Sequence, residues 1–188
     1  MYKKPYIASD RIILRLAEKN DTDEVYEYHL RNKDYLAPFE PKHNDRYYTR
    51  ERWEKLNHRS LKDAEEGKAI RLFIFRKEDN KRVIGELNFE FIMKKPMCSC
   101  EIGYSMDEHE QGKGYMTEAV KLGTDYVFRE LNLMRISGGY SKSNEKSGNV
   151  MRKAGFVGNN LIKNYMLING KWEDIIYCYL YNNNWKDE

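Results

Sequence analysis

The chain has 188 residues, a formal net charge of +3 and 40% hydrophobic residues, with 15 Tyr, 7 Phe and 3 Trp, which is enough to pack one domain over residues 1–188 and too little for two. The two signs of charge nearly cancel, which argues against a nucleic-acid partner, whose footprint is a concentrated basic excess. A mean hydropathy of −0.88, the absence of an apolar run near 18 residues and a start, Met1-Tyr2-Lys3-Lys4-Pro5, without an apolar stretch speak against a membrane partner and for the cytoplasm.

In chain order, Arg11-Ile12-Ile13-Leu14-Arg15-Leu16 reads as a strand, and the Asn20-Asp21-Thr22-Asp23 cluster as the start of a helix over about Asp23 to Arg31. Tyr35 to Pro41 holds two prolines and no period, so it reads as a loop. Thr49 is placed to cap a second helix that Gly67 stops. Ile70 to Phe75 and a strand in which Leu87, Phe89 and Phe91 alternate with Glu86, Asn88 and Glu90 form a hairpin with one apolar face. A strand over about Ser99 to Met106 contains Cys98's neighbour Cys100. Three cysteines cannot all pair within one chain, so free thiols are expected.

The strand runs into Asp107-Glu108-His109-Glu110-Gln111-Gly112-Lys113-Gly114, and a helix follows from Tyr115 to Glu130 with Met116, Ala119, Val120, Gly123 and Val127 at helical spacing. Arg135 to Ser141 is a further strand. Ser143-Asn144-Glu145 caps a short helix ending at Gly155, and Asn169-Gly170 joins Leu161–Ile168 to Lys171–Tyr181 in a hairpin. The order is β-α-α-β-β-β-α-β-α-β-β, an α/β domain with a mixed, mainly antiparallel sheet and helices on both faces. The polar stretch from Asn182 to Glu188 reads as a partly ordered tail.

A glycine pair at a helix start lets successive backbone N–H groups point at one anion, so the loop suits a phosphate. It is not a Walker A loop, which needs Gly at 107 and Ser or Thr at 114. Nor is it a dinucleotide fingerprint, which needs a small residue at 117 and a mostly parallel sheet. The four histidines, and Cys98 with Cys100, fit no metal-ligand spacing, so no metal is expected.

Nearly the whole chain resembles the Gcn5-related N-acetyltransferase (GNAT) superfamily. The resemblance is carried by Glu101-Ile102-Gly103-Tyr104, by Gln111-Gly112-Lys113-Gly114-Tyr115-Met116-Thr117-Glu118-Ala119, and by Asn144-Glu145-Lys146-Ser147 with Ala154-Gly155-Phe156. His109 departs from the Gln or Arg of the family's first motif position. Within the superfamily the chain is most similar to the ribosomal-protein-alanine N-acetyltransferases, through Tyr35-Leu36-Ala37-Pro38-Phe39-Glu40-Pro41, Gly103-Tyr104-Ser105, Asn144 to Gly148, and Asp174 after Asn169-Gly170-Lys171-Trp172.

The resemblance implies acetyl-CoA as co-substrate, held at its pyrophosphate by Gln111, Gly112, Lys113, Gly114, Tyr115 and Met116, along its pantetheine arm by the main chain of Tyr104, Ser105 and Met106, and near its sulfur by Asn144 and Ser147. Ser147 becomes a candidate proton donor, because the Tyr that many members place four residues before the Gly of the Gly-Phe pair is Met151 here. Glu118 receives a structural role in the first helical turn. An α-amine loses its proton near pH 7.7 to 8.0, far more readily than Lys, so Glu86 or Glu101 would serve as a modest base. Tyr35, Phe39, Glu40 and Asn88 would receive the amine. The expected reaction is direct acetyl transfer in a ternary complex to the N-terminal α-amine of a ribosomal or other protein, by a monomer or homodimer. A polyamine or aminoglycoside acceptor, or a non-catalytic CoA-binding module, stays open as an alternative.

Overall fold

The computed structural model describes residues 3–187; Met1, Tyr2 and Glu188, at the two ends considered above, lie outside the described residues. One sheet of eight strands runs through the described residues in the order β1-β2-β3-β4-β5-β6-β8-β7. It starts with β1 (Tyr6–Ala8) and β2 (Ile12–Arg15), then takes in β3 (Ile70–Arg76), β4 (Val83–Met93) and β5 (Ser99–Met106). It is completed by β6 (Arg135–Ser141) and the long hairpin of β7 (Val157–Ile168) and β8 (Lys171–Tyr181). Every neighbouring pair is antiparallel except β5 and β6.

Helices α4 (Tyr115–Leu131) and α5 (Glu145–Lys153) cover one face, burying Ala119, Val120, Val127 and Met151 against Leu87, Phe89, Ile102 and Ile136. Gly123 sets how closely α4 approaches: a Cβ there would sit 2.5 Å from Leu87 Cδ2. Helices α1 (Thr22–Arg31) and α3 (Arg50–Glu65) cover the other face, where Val25, Tyr28 and Trp53 pack on Ile13, Phe73 and Phe75. Burial of apolar side chains in two layers holds the sheet between them.

This double cover corrects the expectation of a β4 with one apolar face. Glu86 is 8% exposed, because α1 closes over it while Arg71 and Asn88 supply polar partners. Phe91 leaves the alternation altogether: its φ of +50° lies in a bulge between Glu90 and Met93, and the ring is 66% exposed. The segment expected as a loop begins with a helical turn, α2 (Lys33–Leu36), and continues as a 3-10 turn over Ala37–Phe39. Pro38 is tolerated in that first turn because its missing N–H would have no partner there. Thr49 precedes α3, yet its hydroxyl donates to Arg46 O at 2.8 Å and caps nothing. Beyond β8, Asn182 donates to Leu133 O and Trp185 Nε1 to Asn132 O, each at 3.0 Å.

Candidate active site

β5 and β6 are paired over only three positions, Ser99 with Arg135, Cys100 with Ile136 and Glu101 with Ser137. Beyond them the two parallel strands part. A cleft of about 830 Å³ occupies the gap, and its walls include Ile102–Met106 from β5, Gly138–Ser141 from β6 and the start of α5.

At one end of the cleft lies the loop before α4. Gly112 has φ +74° and Gly114, the N-cap of α4, has φ +82°. Only glycine adopts this conformation without strain, and two such residues at a helix start turn successive N–H groups into a concave anion-binding surface. Gln111, Gly112, Gly114, Tyr115 and Met116 all border the cleft, whereas Lys113 does not. Its ammonium turns back to Glu110 Oε2 at 2.8 Å. Glu118 faces Ser9 Oγ at 2.6 Å and Arg11 Nε at 2.8 Å, a purely structural arrangement.

The middle of the cleft is set by β5 and α5. Asn144 caps α5 by accepting from Ser147 N at 3.1 Å, which fixes the serine in the first turn. The Tyr104 hydroxyl reaches Ser147 Oγ and Ser147 O, both at 2.9 Å. Burial raises the Tyr104 phenol to about 12 against the opposing pull of the Ser147 bond, so the phenol stays protonated. Met151 packs where a Cβ on Gly138 would meet its methyl at 2.8 Å.

At the far end the elements on either side of the cleft meet. Tyr35, Phe39 and Glu40 line it from the α2 segment, and Tyr165, Met166 and Tyr177 from the β7–β8 hairpin. Asn169 N donates to Glu40 O at 2.9 Å and joins the hairpin turn to that segment. Gln111 Nε2 bonds the Tyr35 hydroxyl, and Lys146 Nζ donates to Gln111 Oε1 at 3.0 Å. Burial raises the Glu40 carboxyl to about 7; the Glu86 charge adds to the rise and Arg71 opposes it. Tyr177 donates to Glu101 Oε1 at 2.6 Å, and burial followed by that carboxylate bond keeps the phenol protonated well beyond neutral pH.

Of the expected acceptor and catalytic residues, Tyr35, Phe39, Glu40, Glu101 and Ser147 come together here, while Glu86 and Asn88 do not border the cleft. They lie on β4, opposite Ser105 and Gly103 of β5 in the same sheet. Glu86 holds Arg71 and Asn88 at 3.4 Å and faces His29 Nε2 at 3.7 Å. Burial and then Arg71 depress the His29 imidazole well below its ordinary value, so it is neutral where it stacks 3.6 Å from Trp53. Three groups that the sequence does not single out also stand at or beside the cleft: Tyr177, the Tyr104 hydroxyl, and His43 next to Glu40. The alternation of Tyr177 with Cys178 placed it on a face, but only the β6–β8 register brings that face to Glu101. Among the described residues no three His, Cys, Asp or Glu side chains gather closely enough to hold a metal ion, and no helix is long and apolar enough to cross a membrane.

Known proteins resemble this chain in sequence and in fold. The chain is 29% identical over 182 residues to the [ribosomal protein uS5]-alanine N-acetyltransferase of Escherichia coli, covering 97% of this chain and 93% of that protein. It is 35% identical over 163 residues to the probable N-acetyltransferase YjcK of Bacillus subtilis, covering 87% and 90%. The crystal structure of ribosomal-protein-S5-alanine acetyltransferase from Vibrio fischeri superposes with a TM-score of 0.92 at 32% identity, over 97% of this chain and 99% of that one. The family described as "Acetyltransferase (GNAT) domain" matches residues 11–157. With its split sheet and glycine loop, this chain belongs to the GNAT acetyltransferase family and is an acetyltransferase.

Proposed function

We propose that the protein transfers acetyl from acetyl-CoA to the N-terminal α-amine of a ribosomal or other protein, in the cytoplasm, with residues 1–188 forming the single domain that carries the site. The observation that carries this reading is the cleft, open from the anion-binding loop of Gly112 and Gly114 to the polar end at Glu40 and Glu101. Such a cleft has room for a phosphate-bearing donor at one end and an amine at the other. The kinship with the uS5-alanine enzymes supports a protein N-terminus as acceptor.

Backbone N–H groups from Gln111 to Tyr115 would hold the pyrophosphate, and the main chain of Tyr104, Ser105 and Met106, which has no β6 partner, would bond the pantetheine amides. Asn144 keeps Ser147 in place. Tyr104 donates its hydrogen to Ser147 O and its oxygen stands 2.9 Å from Ser147 Oγ, which would hold the serine hydroxyl in place to turn its hydrogen to the departing sulfur. The amine nitrogen forms its bond to the acyl carbon as the carbon–sulfur bond breaks, so no acyl-enzyme is required. Tyr35, Phe39 and Glu40 would receive the acceptor.

The test is thiol release from acetyl-CoA with peptides bearing free N-terminal Ala or Ser, set beside polyamines and aminoglycosides, with calorimetric binding of acetyl-CoA as control. Turnover confined to peptides is the expected result. Turnover confined to small amines would replace the acceptor, and binding without turnover of any amine would reduce the protein to a binding module.

A further inference from the structure

Resting on the acetyltransferase reading above, the inference concerns where the proton released by the reaction goes. An ammonium that becomes an amide loses two protons from nitrogen. One ends on the sulfur that leaves the acyl carbon, and the other must reach solvent. A group able to take it has to face the cleft, be unionised or ionised with little bias near neutral pH, and connect to water.

Glu86 fails the first condition, since it does not border the cleft and is held by Arg71. Glu101 faces the cleft, but one of its oxygens is occupied by Tyr177. Glu40 meets all three. Its side chain lines the cleft while retaining 22% exposure, and its main chain is fixed by Asn169 N. Its Oε2 lies 3.3 Å from His43 Nε2. The His43 ring is in turn held flat on Tyr47, centroids 3.6 Å apart and planes within 6°, with 22% of its side chain in solvent. We propose that Glu40 is the catalytic base that takes the amine proton and that His43 is a positioning residue that passes it on to water.

The surroundings raise the Glu40 carboxyl and lower the His43 imidazole, so a proton that reaches His43 passes on to water rather than staying there. Glu86 from β4 and Arg71 from β3 act on the Glu40 carboxyl with opposite signs, and burial brings it to about 7. Tyr28 from α1 and Tyr47 and Tyr48 ahead of α3 feel its charge but remain neutral phenols, and the hairpin donates the Asn169 N–H to the Glu40 carbonyl. Burial, with Arg52 nearby, lowers the His43 imidazole. At neutral pH the imidazole is therefore free to accept, and it returns a proton to water readily. In the balanced step, Glu40 removes one proton from the ammonium and the nitrogen lone pair forms the carbon–nitrogen bond. The carbon–sulfur pair leaves with sulfur, which gains the second nitrogen proton by way of the Ser147 hydroxyl, and the Glu40 proton departs through His43.

The experiment is the pH dependence of thiol release at saturating acetyl-CoA with a short Ala-initiated peptide, for the intact chain, Glu40→Gln and His43→Ala. The kcat of the intact chain should fall with decreasing pH through about 7. Glu40→Gln should lose about a hundredfold or more in kcat together with that limb, while its calorimetric affinity for acetyl-CoA stays unchanged, which shows the site is still formed. His43→Ala should lose about tenfold in kcat and recover it in added imidazole. A Glu40→Gln enzyme with raised KM but unchanged kcat and pH limb would make Glu40 a binding residue and overturn the proposal. A His43→Ala defect that imidazole does not repair would remove His43 from it. Failure of the acetyltransferase reading looks different, because the intact chain itself would then release no thiol with any amine.

Discussion

In the proposed reaction the hydroxyls of Tyr104 and Ser147, 2.9 Å apart across the gap between β5 and α5, would supply from two elements what Met151 cannot supply from one. Tyr104→Phe should lower kcat by about tenfold to a hundredfold with little change in acetyl-CoA affinity, and Tyr104→Phe with Ser147→Ala should cost little more than Ser147→Ala alone, because paired residues are not additive. Rapid-quench turnover of the three variants measures this. How much of the site could be read from the sequence is clear at this scale. Gly112, Gly114, Asn144 and Ser147 are fixed by local conformational demands, positive φ or a helix N-cap, and local demands show in neighbouring residues. Tyr177 on Glu101 depends on strand register, which no short window of sequence encodes, whereas His43 lies three residues after Glu40 and meets it only through the irregular path the loop takes there. The same limit explains Glu86: alternation assigned its face, but not the helix that buries it.

Among the elements, α4 is placed by two features of opposite kind, a left-handed N-cap at Gly114 and close contact at Gly123. Gly114→Val forces a branched side chain to φ +82°, at a cost of roughly 1–3 kcal/mol. The loop should then relax, and acetyl-CoA affinity measured by calorimetry should drop more than tenfold while the fold persists. Gly123→Leu acts elsewhere. It drives a side chain into Leu87 and Phe89, and chemical denaturation should show a loss of about 1–3 kcal/mol in stability with little change in affinity for acetyl-CoA in the molecules that remain folded. Strands β5 and β6 coincide with their expected limits, Ser99–Met106 and Arg135–Ser141. The three-residue β1 was overlooked since it carries no alternation of its own and exists through pairing with β2.

For the whole molecule, Asp107 links the two sides of the sheet. It is fully buried between β5 and the glycine loop, takes hydrogen bonds from Arg31 Nε at 2.7 Å and His109 N at 3.0 Å, and so joins the end of α1 to the loop that opens α4. Burial alone would raise its pKa, but Arg31 and the backbone N–H outweigh that and hold the carboxyl below its ordinary value. A carboxyl depressed in the folded state stabilises the protein above its unfolded pKa of about 3.9 and loses that contribution as pH falls through the lower folded value. Asp107→Asn should flatten the acid limb of the stability curve, and Arg31→Met should cost about 3 kcal/mol at neutral pH by leaving a buried charge; both are read from denaturation at several pH values. The thiols are the opposite case. Burial raises Cys100 to about 12 and also raises Cys178, and all three cysteines are buried, so a thiol reagent should label none of them until the protein unfolds.

The three-pair junction between β5 and β6 also has a mechanical meaning. It divides the sheet into a five-stranded and a three-stranded half, joined in the plane through Ser99–Glu101 and Arg135–Ser137, with Cys98 O accepting from Met134 N at 2.7 Å beside them. Any molecule that bonds β5 and β6 at once completes the interrupted ladder and ties the halves together. Its binding energy adds to folding energy as RT ln(1 + [L]/Kd), roughly 2.7 kcal/mol at a hundred times Kd. Thermal stability should therefore climb with acetyl-CoA concentration, and the largest gain in amide-exchange protection should fall on Ile102–Met106, the part of β5 that pairs with β4 but has no partner on its β6 side.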